Sequence, residues 1–179
     1  MLPQNKLNKG NQACTIREAL EKDAPVLIEY NNRISMETDF LTFGSGEFEL
    51  SENEEIEFLR KCRMAENSIY LVASTDGELI GTLIFEGGKR SRTRHTGELS
   101  MSVSKKFQRK GVGSLLVDSL LEWAKNGKII RKINLRVRID NLRAFDLYLR
   151  KGFQIEGTIK REILFKDKFY DNYWMGLKI

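Results

Sequence analysis

A short segment rich in glycine and basic residues is the strongest candidate for chemistry in this chain. Residues 108–113 read Q-R-K-G-V-G, between a strand-like stretch ending at Val103 and an amphipathic stretch over Val112–Lys125. A loop that opens a helix presents free backbone N–H groups and the positive end of the helix dipole. Glycine there lets an anion approach the main chain. The segment therefore predicts a pyrophosphate site, against the plainer interpretation of a helix start with a solvated basic face.

The spacing of this segment excludes the two commoner phosphate loops. The chain contains no GxxxxGK[ST] run, which a P-loop nucleotide hydrolase would need. A dinucleotide fingerprint would require a third glycine, and Leu116 stands at that place.

A second pattern follows downstream and, with the first, indicates a family. Residues 141–153 read N-x-x-A-x-x-x-Y-x-x-x-G-F, while 108–113 fit Q/R-x-x-G-x-G/A. Together they resemble the two hallmarks of the GNAT acetyltransferase superfamily, in the right order and with strand and helix context. Glu156-Gly157, Tyr170-Asp171 and Met175 resemble the branch with ribosomal-protein N-acetyltransferases and bacterial small-amine acetylases. The resemblance extends from about Ser68 to the end.

The resemblance implies acetyl-CoA as co-substrate and a role for each matching residue. The loop Gln108–Ser114 would hold the CoA pyrophosphate through main-chain N–H groups, and Met101–Val103 would pair with the pantetheine arm between two splayed strands. Asn141 would hydrogen-bond the pantetheine, and Tyr148 would lie beside the thioester sulfur. The implied cofactor-binding residues are Met101, Ser102, Val103, Gln108, Arg109, Lys110, Gly111, Val112, Gly113, Ser114, Asn141, Ala144 and Tyr148.

Acetyl transfer to a primary amine by direct attack also needs a base, an oxyanion donor and an acid for the leaving thiolate. Tyr148 fits the acid, against the alternative of an aromatic that only packs in the core. A strand N–H near Ser100 or Met101 fits the oxyanion donor.

The base is the least determined residue. The ribosomal-protein alanine acetyltransferases carry a glutamate five residues before the motif asparagine, where this chain has Arg136. Glu98 is then the candidate catalytic base, acting through water, or else a structural carboxylate that pairs with Arg136 or Arg138. The only histidine, His95, lies in a basic turn and is interpreted as a solvated loop residue.

The amine would bind against the first two helices and the loop between them. That loop carries acidic groups that could attract a cation and aromatics that could wall a pocket, against the plainer alternative of solvated loop acids. The candidates are Glu37, Asp39, Glu47 and Glu49, with Phe40, Phe43 and Phe48.

The elements that position these residues predict a mixed α/β fold of the GNAT type. The order β-α-α-β-β-β-α-β-α-β-β indicates a central, mostly antiparallel sheet of six to seven strands flanked by about four helices. A capping box at Ser51–Glu54 opens the second helix, and an Asp76-Gly77 turn joins two strands. The helix from Val112 is expected to bury Val112, Leu115, Leu116, Ser119, Leu120 and Trp123. Residues 1–12 are expected to form a flexible lead-in, and 13–179 a single acetyltransferase domain.

Composition limits the partners and the place of action. One histidine excludes a multi-histidine metal site, so no metal is expected. The polar start and the lack of an apolar run near ~18 residues predict a cytoplasmic protein without membrane binding. The net charge of +5 fits an anionic ligand better than a specific nucleic-acid partner, because no nucleic-acid motif is present. An acyl-CoA-binding sensor without catalysis is the alternative function, and the family resemblance also implies that a homodimer is common.

Overall fold

The computed structural model describes residues 6–8 and 13–179 of the chain, which form one sheet with two helices on each face. The strands run in the order β1-β2-β3-β4-β5-β6-β8-β7, and every adjacent pair is antiparallel except β5 and β6. The strands are β1 Lys6–Asn8, β2 Ala13–Glu18, β3 Ile69–Thr75, β4 Glu78–Gly87, β5 Thr96–Val103, β6 Lys132–Arg138, β7 Gln154–Phe165 and β8 Lys168–Lys178. The helices are α1 Ala24–Glu37, α2 Glu52–Met64, α3 Val112–Gly127 and α4 Leu142–Arg150.

The element order predicted from the sequence is confirmed from β2 to the end. The strands β2 to β8 and the four helices follow β-α-α-β-β-β-α-β-α-β-β, in a mostly antiparallel sheet. The short strand β1 is an addition, because Lys6–Asn8 pairs with β2. The rest of the expected lead-in, residues 1–5 and 9–12, lies outside the described residues.

Local signals explain where the helices begin. The Ser51 hydroxyl accepts the Glu54 N–H at 3.3 Å and the Glu54 carboxylate accepts the Ser51 N–H at 2.8 Å, which is the predicted capping box of α2. In α3 the prediction was partly wrong. Leu115 and Trp123 are only half-buried, because they lie at the margin of the face that the helix turns to the sheet. Val117 and Ala124 occupy the centre of that face instead.

The two faces of the sheet carry separate cores. The face covered by α3 and α4 has the larger cluster, which includes Leu83, Phe85, Leu116 and Leu135. The face covered by α1 and α2 has a smaller cluster around Tyr30, Leu59 and Val72. We refer to them as the α3/α4 face and the α1/α2 face.

The feature that positions the site is an opening in the middle of the sheet. The parallel strands β5 and β6 pair only at Thr96–Lys132, Gly97–Ile133 and Glu98–Asn134. Beyond that register Leu99–Val103 and Leu135–Arg138 separate, as the family resemblance implied. We call this opening the β5–β6 cleft.

Two further properties concern cysteines and membranes. Cys14 and Cys62 are buried and free. Among the described residues, no helix has the length and apolarity that a membrane crossing requires.

Candidate active site

The loop at the mouth of the β5–β6 cleft is held by a buried aromatic and an amide side chain. Phe107 ends a short 3₁₀ turn after β5 and is buried under the loop. The Gln108 Nε2 donates to the Val103 carbonyl at 3.1 Å, which ties the loop back to the end of β5. Arg109 and Gly111 take left-handed φ values of 62° and 87°. Gly111 adopts this conformation without the strain that a Cβ would add, and it is the N-cap of α3.

These conformations leave a run of backbone donors without acceptors. Among the described residues, no hydrogen bond is formed by the N–H groups of residues 109–114, and the first helical bond of α3 is Leu115 N–H to the Gly111 carbonyl at 3.1 Å. They lie at the positive end of a 16-residue helix. Such an array suits a diphosphate, which accepts several N–H donors at once.

Basic side chains surround the loop without blocking it. Lys105, Lys106, Arg109 and Lys110 are exposed, and the two ammonium groups of Lys106 and Lys110 lie 5.1 and 5.0 Å from the Phe107 ring centre. These groups add positive charge that long side chains can direct toward a ligand.

Gly113 has a packing role that the sequence pattern did not reveal. A Cβ there would lie 3.3 Å from the Leu147 Cδ2 and 3.4 Å from the Met101 Cε. The glycine therefore allows α3 to approach both α4 and β5 closely.

The second motif residues lie on α4, beside the same cleft. The Asn141 Oδ1 accepts the Ala144 N–H at 3.3 Å, so Asn141 caps α4. Tyr148 is 5% exposed and packs edge-to-face on Phe153, with ring centres 5.6 Å apart. In the part of the chain that the structure describes, burial, and no hydrogen bond, affects the titration of its hydroxyl. Burial raises the pKa of the Tyr148 hydroxyl, so the group stays protonated at neutral pH.

Glu98 lies where the two strands begin to separate and is ion-paired. Its Oε1 accepts Arg136 Nε at 2.6 Å, and Arg136 Nη1 donates to Glu162 Oε1 at 2.8 Å. The hydrogen bonds of Glu98 and Glu162 raise the pKa of Arg136. The sequence suggested Arg136 or Arg138 as the partner of Glu98, and in the structure the partner is Arg136. Glu162 was not predicted from the sequence. It follows Arg161 in β7, and no sequence signal marks the left-handed conformation of Arg161.

Arg138 is enclosed between two aromatic rings instead. It is 7% exposed, forms a two-bonded pair with Asp140 at 2.9 and 2.7 Å, and donates to the Asp39 carbonyl at 2.8 Å. Its guanidinium lies 4.7 Å from the Phe40 ring centre and 3.9 Å from that of Tyr170. Arg138 thereby fastens the loop after α1 to the edge of the β5–β6 cleft.

Two of the acidic groups expected to attract the amine are engaged within the protein. Glu37 accepts the Lys105 N–H at 2.6 Å, and Glu47 accepts the Gly44 N–H at 2.7 Å. Asp39 and Glu49 are exposed, and Phe43 packs on Phe48 with ring centres 5.2 Å apart.

Other groups considered from the sequence lie apart from this arrangement. His95 is exposed, and its carbonyl accepts the Arg131 N–H at 2.7 Å. Within residues 6–8 and 13–179, no cluster of three or more His, Cys, Asp or Glu side chains could hold a metal ion.

Known proteins are similar to this chain in sequence and in fold. The acetyltransferase (GNAT) family profile matches residues 32–153. The L-amino acid N-acetyltransferase AaaT of Escherichia coli K12 is 33% identical over 106 residues, which are 59% of this chain and 65% of that protein. The aligned part therefore spans just under two thirds of that relative.

Solved structures extend the similarity over nearly the whole fold. An acetyltransferase of the GNAT family from Streptococcus pneumoniae superposes with a TM-score of 0.89 and 37% identity, over 93% of this chain and 99% of that one. A Salmonella typhimurium structure, solved with its cofactor acetyl-CoA, has a TM-score of 0.80 and 19% identity over 92% and 93% of the two chains. The family profile, the two sequence motifs and the β5–β6 cleft agree, and the chain belongs to the acetyltransferase (GNAT) family.

Proposed function

We propose that this acetyltransferase moves the acetyl group of acetyl-CoA to the primary amine of a small molecule or peptide by direct attack. The observation that carries the proposal is the run of unpartnered N–H groups at residues 109–114, at the mouth of the β5–β6 cleft. The similarity to an L-amino acid N-acetyltransferase makes free L-amino acids the first acceptors to test.

Acetyl-CoA would enter with its diphosphate on the loop and its pantetheine along β5. The N–H groups of residues 109–114 would bind the diphosphate, with the side chains of Arg109 and Lys110 adding charge. Among the described residues β5 has no strand partner on the cleft side beyond Glu98, so Met101–Val103 would pair with the pantetheine amides there as another strand would, except at the Val103 carbonyl, which accepts Gln108 Nε2. Within the described residues the Asn141 side chain bonds only through its Oδ1, which caps α4, so its Nδ2 would be available to the same arm.

The chemical step would join the amine nitrogen to the thioester carbonyl carbon. A C–N bond forms, the carbonyl oxygen becomes an oxyanion, and its collapse breaks the C–S bond. The backbone N–H of Met101 would stabilise the oxyanion, because Ser100 is paired with Ile84 in the β4–β5 ladder. Tyr148 would donate its proton to the departing thiolate and regain one from the protonated amide nitrogen.

Glu98 would accept the proton that the ammonium must lose, through a water molecule. One of its oxygens is bound to Arg136, and its side chain is 36% exposed, so water can reach the other. The ion pair holds the carboxylate at the start of the β5–β6 cleft and so fixes the position of the base.

The cellular setting forms part of the same proposal. We place the enzyme in the cytoplasm, which supplies acetyl-CoA and keeps thiols such as the free Cys14 and Cys62 reduced. The homodimer expected from the family is a prediction that analytical ultracentrifugation would check.

The proposal is tested by thiol release from acetyl-CoA across the L-amino acids, polyamines, aminoglycosides and short peptides. Turnover with one amine class, reduced in Tyr148→Phe and Gly111→Asp, supports the proposal. Binding of acetyl-CoA without turnover on any amine would favour a sensor, and no binding at all would refute the cofactor assignment.

A further inference from the structure

We propose that Glu162 is a specificity-determining residue that binds the ammonium group of the acceptor. This inference rests on the proposed function and assigns the amine-recognition group of the same site. Glu162 stands outside both sequence motifs, and the structure alone brings it to the β5–β6 cleft.

Glu98, Glu162 and Arg136 together carry one net negative charge. Glu98 and Glu162 are bound to the single guanidinium of Arg136, at 2.6 and 2.8 Å. The neighbouring arginine, Arg138, is bound to Asp140 and to the Asp39 carbonyl, so it does not neutralise the second carboxylate. A cation that enters this end of the cleft would therefore be attracted.

Two buried side-chain oxygen atoms next to Arg136 and Arg138 have no hydrogen-bond donor among the described residues. The Glu162 Oε2 and the Asn172 Oδ1 are buried and lack a hydrogen-bond partner in the described part of the chain. Asn172 is 6% exposed and lies directly opposite Arg138 in the β6–β8 pairing, so both occupy the α1/α2 face. Unpaired buried acceptors are costly, and an ammonium offers three donors with no acceptor of its own.

The strand that carries Glu162 departs from regular geometry to place it there. The β7–β8 register shifts between Ile159 and Ile163, and Arg161 takes φ 55°. Asp171 holds the bulge, because its carboxylate accepts the Arg161 N–H at 2.9 Å and Lys160 Nζ at 2.8 Å. A held bulge that re-aims a side chain toward a cleft is typical of sites that bind ligands.

Glu162 and Glu98 therefore have different tasks on the two sides of Arg136. Glu162 binds the incoming ammonium, while Glu98, at the last paired position of β5, receives its proton. Arg136 is a positioning residue that keeps the two carboxylates apart.

The test compares Glu162→Gln with wild type in the full chain, using the L-amino acids as probes. The variant keeps the shape of the side chain and loses its charge. We expect the KM for the accepted amine to rise by about 10- to 100-fold, because one hydrogen bond to a charged group is lost. The kcat at saturating amine and the Kd of acetyl-CoA should stay within a factor of about three of wild type.

Two more variants separate recognition from folding. Glu156→Gln is the matched control, because Glu156 also lies on β7 and binds a lysine, Lys132, at the paired end of β5 and β6. Its KM should not change. Glu162→Asp keeps the charge on a shorter side chain, so its KM should fall between those of wild type and Glu162→Gln.

Distinct results would overturn each claim. An unchanged amine KM in Glu162→Gln, with turnover and acetyl-CoA binding intact, would refute the role of Glu162 and leave the proposed function standing. Equal losses in kcat, acetyl-CoA affinity and thermal stability in both Glu162 variants would show a structural role only. A wild-type protein that neither binds acetyl-CoA nor acetylates an amine would refute the proposed function itself.

Discussion

Both faces of the sheet border the β5–β6 cleft, but they offer a ligand different kinds of chemical groups. On the α3/α4 face the core cluster is apolar, and the groups available to a ligand are backbone N–H groups in a loop. On the α1/α2 face lie the two buried charged residues of the described chain, Glu55 and Arg138. The first face can bind an anion through local backbone geometry, whereas the second depends on side chains brought together from distant segments.

The largest effect is expected from Gly111→Asp, which disturbs the backbone conformation at the start of α3 on the α3/α4 face. A left-handed φ of 87° strains any residue with a Cβ, and the new carboxylate would repel the diphosphate at the helix N-terminus. We expect kcat/KM for acetyl-CoA to fall by on the order of 1,000-fold, from roughly 4 kcal/mol of combined strain and repulsion. Steady-state kinetics and calorimetric titration with acetyl-CoA would measure the loss.

The matched control is Gly127→Asp at the other end of the same helix. A Cβ at Gly127 would contact nothing within 4 Å, and the residue does not have a positive φ. Acetyl-CoA affinity should stay near that of wild type. Equal losses in the two variants would mean that α3 as a whole, and not its first turn, determines cofactor binding.

Tyr148→Phe should give the next largest effect and leave cofactor binding intact. The substitution keeps the packing on Phe153 and removes only the hydroxyl. We expect kcat to fall by about 100-fold, the usual contribution of one general acid, with an unchanged Kd for acetyl-CoA.

A pH profile distinguishes this role from packing. Burial raises the pKa of Tyr148, so the wild-type hydroxyl stays protonated and kcat should not decline as the pH passes the ordinary tyrosine value of about 10. A decline there that Tyr148→Phe abolishes would mean that the hydroxyl titrates normally, against this assignment.

The contrast between the faces also explains which features the sequence predicted. The capping box at Ser51 and the glycine of the α3 N-cap act on neighbouring backbone, so a few residues of sequence specify them. The Arg136–Glu162 pair joins positions 26 residues apart through a bulge at Arg161. The left-handed φ there could not be predicted, because the residue is not a glycine. The sequence could name Glu98 as a charged strand residue, but only the strand register selects Arg136 over Arg138 as its partner.

Arg138→Lys tests whether the α1/α2 face depends on this particular side-chain shape. Lysine keeps the charge but cannot form the two-bonded pair with Asp140 or stack flat between Phe40 and Tyr170. We expect a loss of about 2 kcal/mol in the free energy of unfolding, measured by urea denaturation.

The same variant should weaken acceptor binding more than cofactor binding. The loop after α1 would lose its bond from Arg138 to the Asp39 carbonyl, whereas among the described residues the side-chain hydrogen bonds of Arg138 go to Asp140 and Asp39 and not to the loop at 108–114. Equal changes in the two KM values would contradict the separation of the faces.

Glu55→Gln should have the smallest effect, and it should be stabilising. Glu55 lies on α2, is 2% exposed, and its Oε1 is buried with no partner within the described residues. Burial raises the pKa of this carboxyl, so the folded protein binds the proton more tightly than the unfolded chain does. The free energy of unfolding therefore falls as the pH rises from the ordinary glutamate pKa through the folded value, and at pH 7 the buried charge is a net cost.

The uncharged glutamine removes that cost only where the glutamate is ionised. We expect the free energy of unfolding to rise by about 1 kcal/mol at pH 7, and the gain to shrink toward zero below pH ~4. Urea denaturation at both pH values would measure it. Glu57→Gln on the exposed side of α2 is the control, since Glu57 is 53% exposed and pairs with Arg60; it should give no gain at either pH. A loss of stability in Glu55→Gln at pH 7 would mean that the carboxylate has a partner when ionised, so that Glu55 belongs to an ion pair and is not an isolated buried charge.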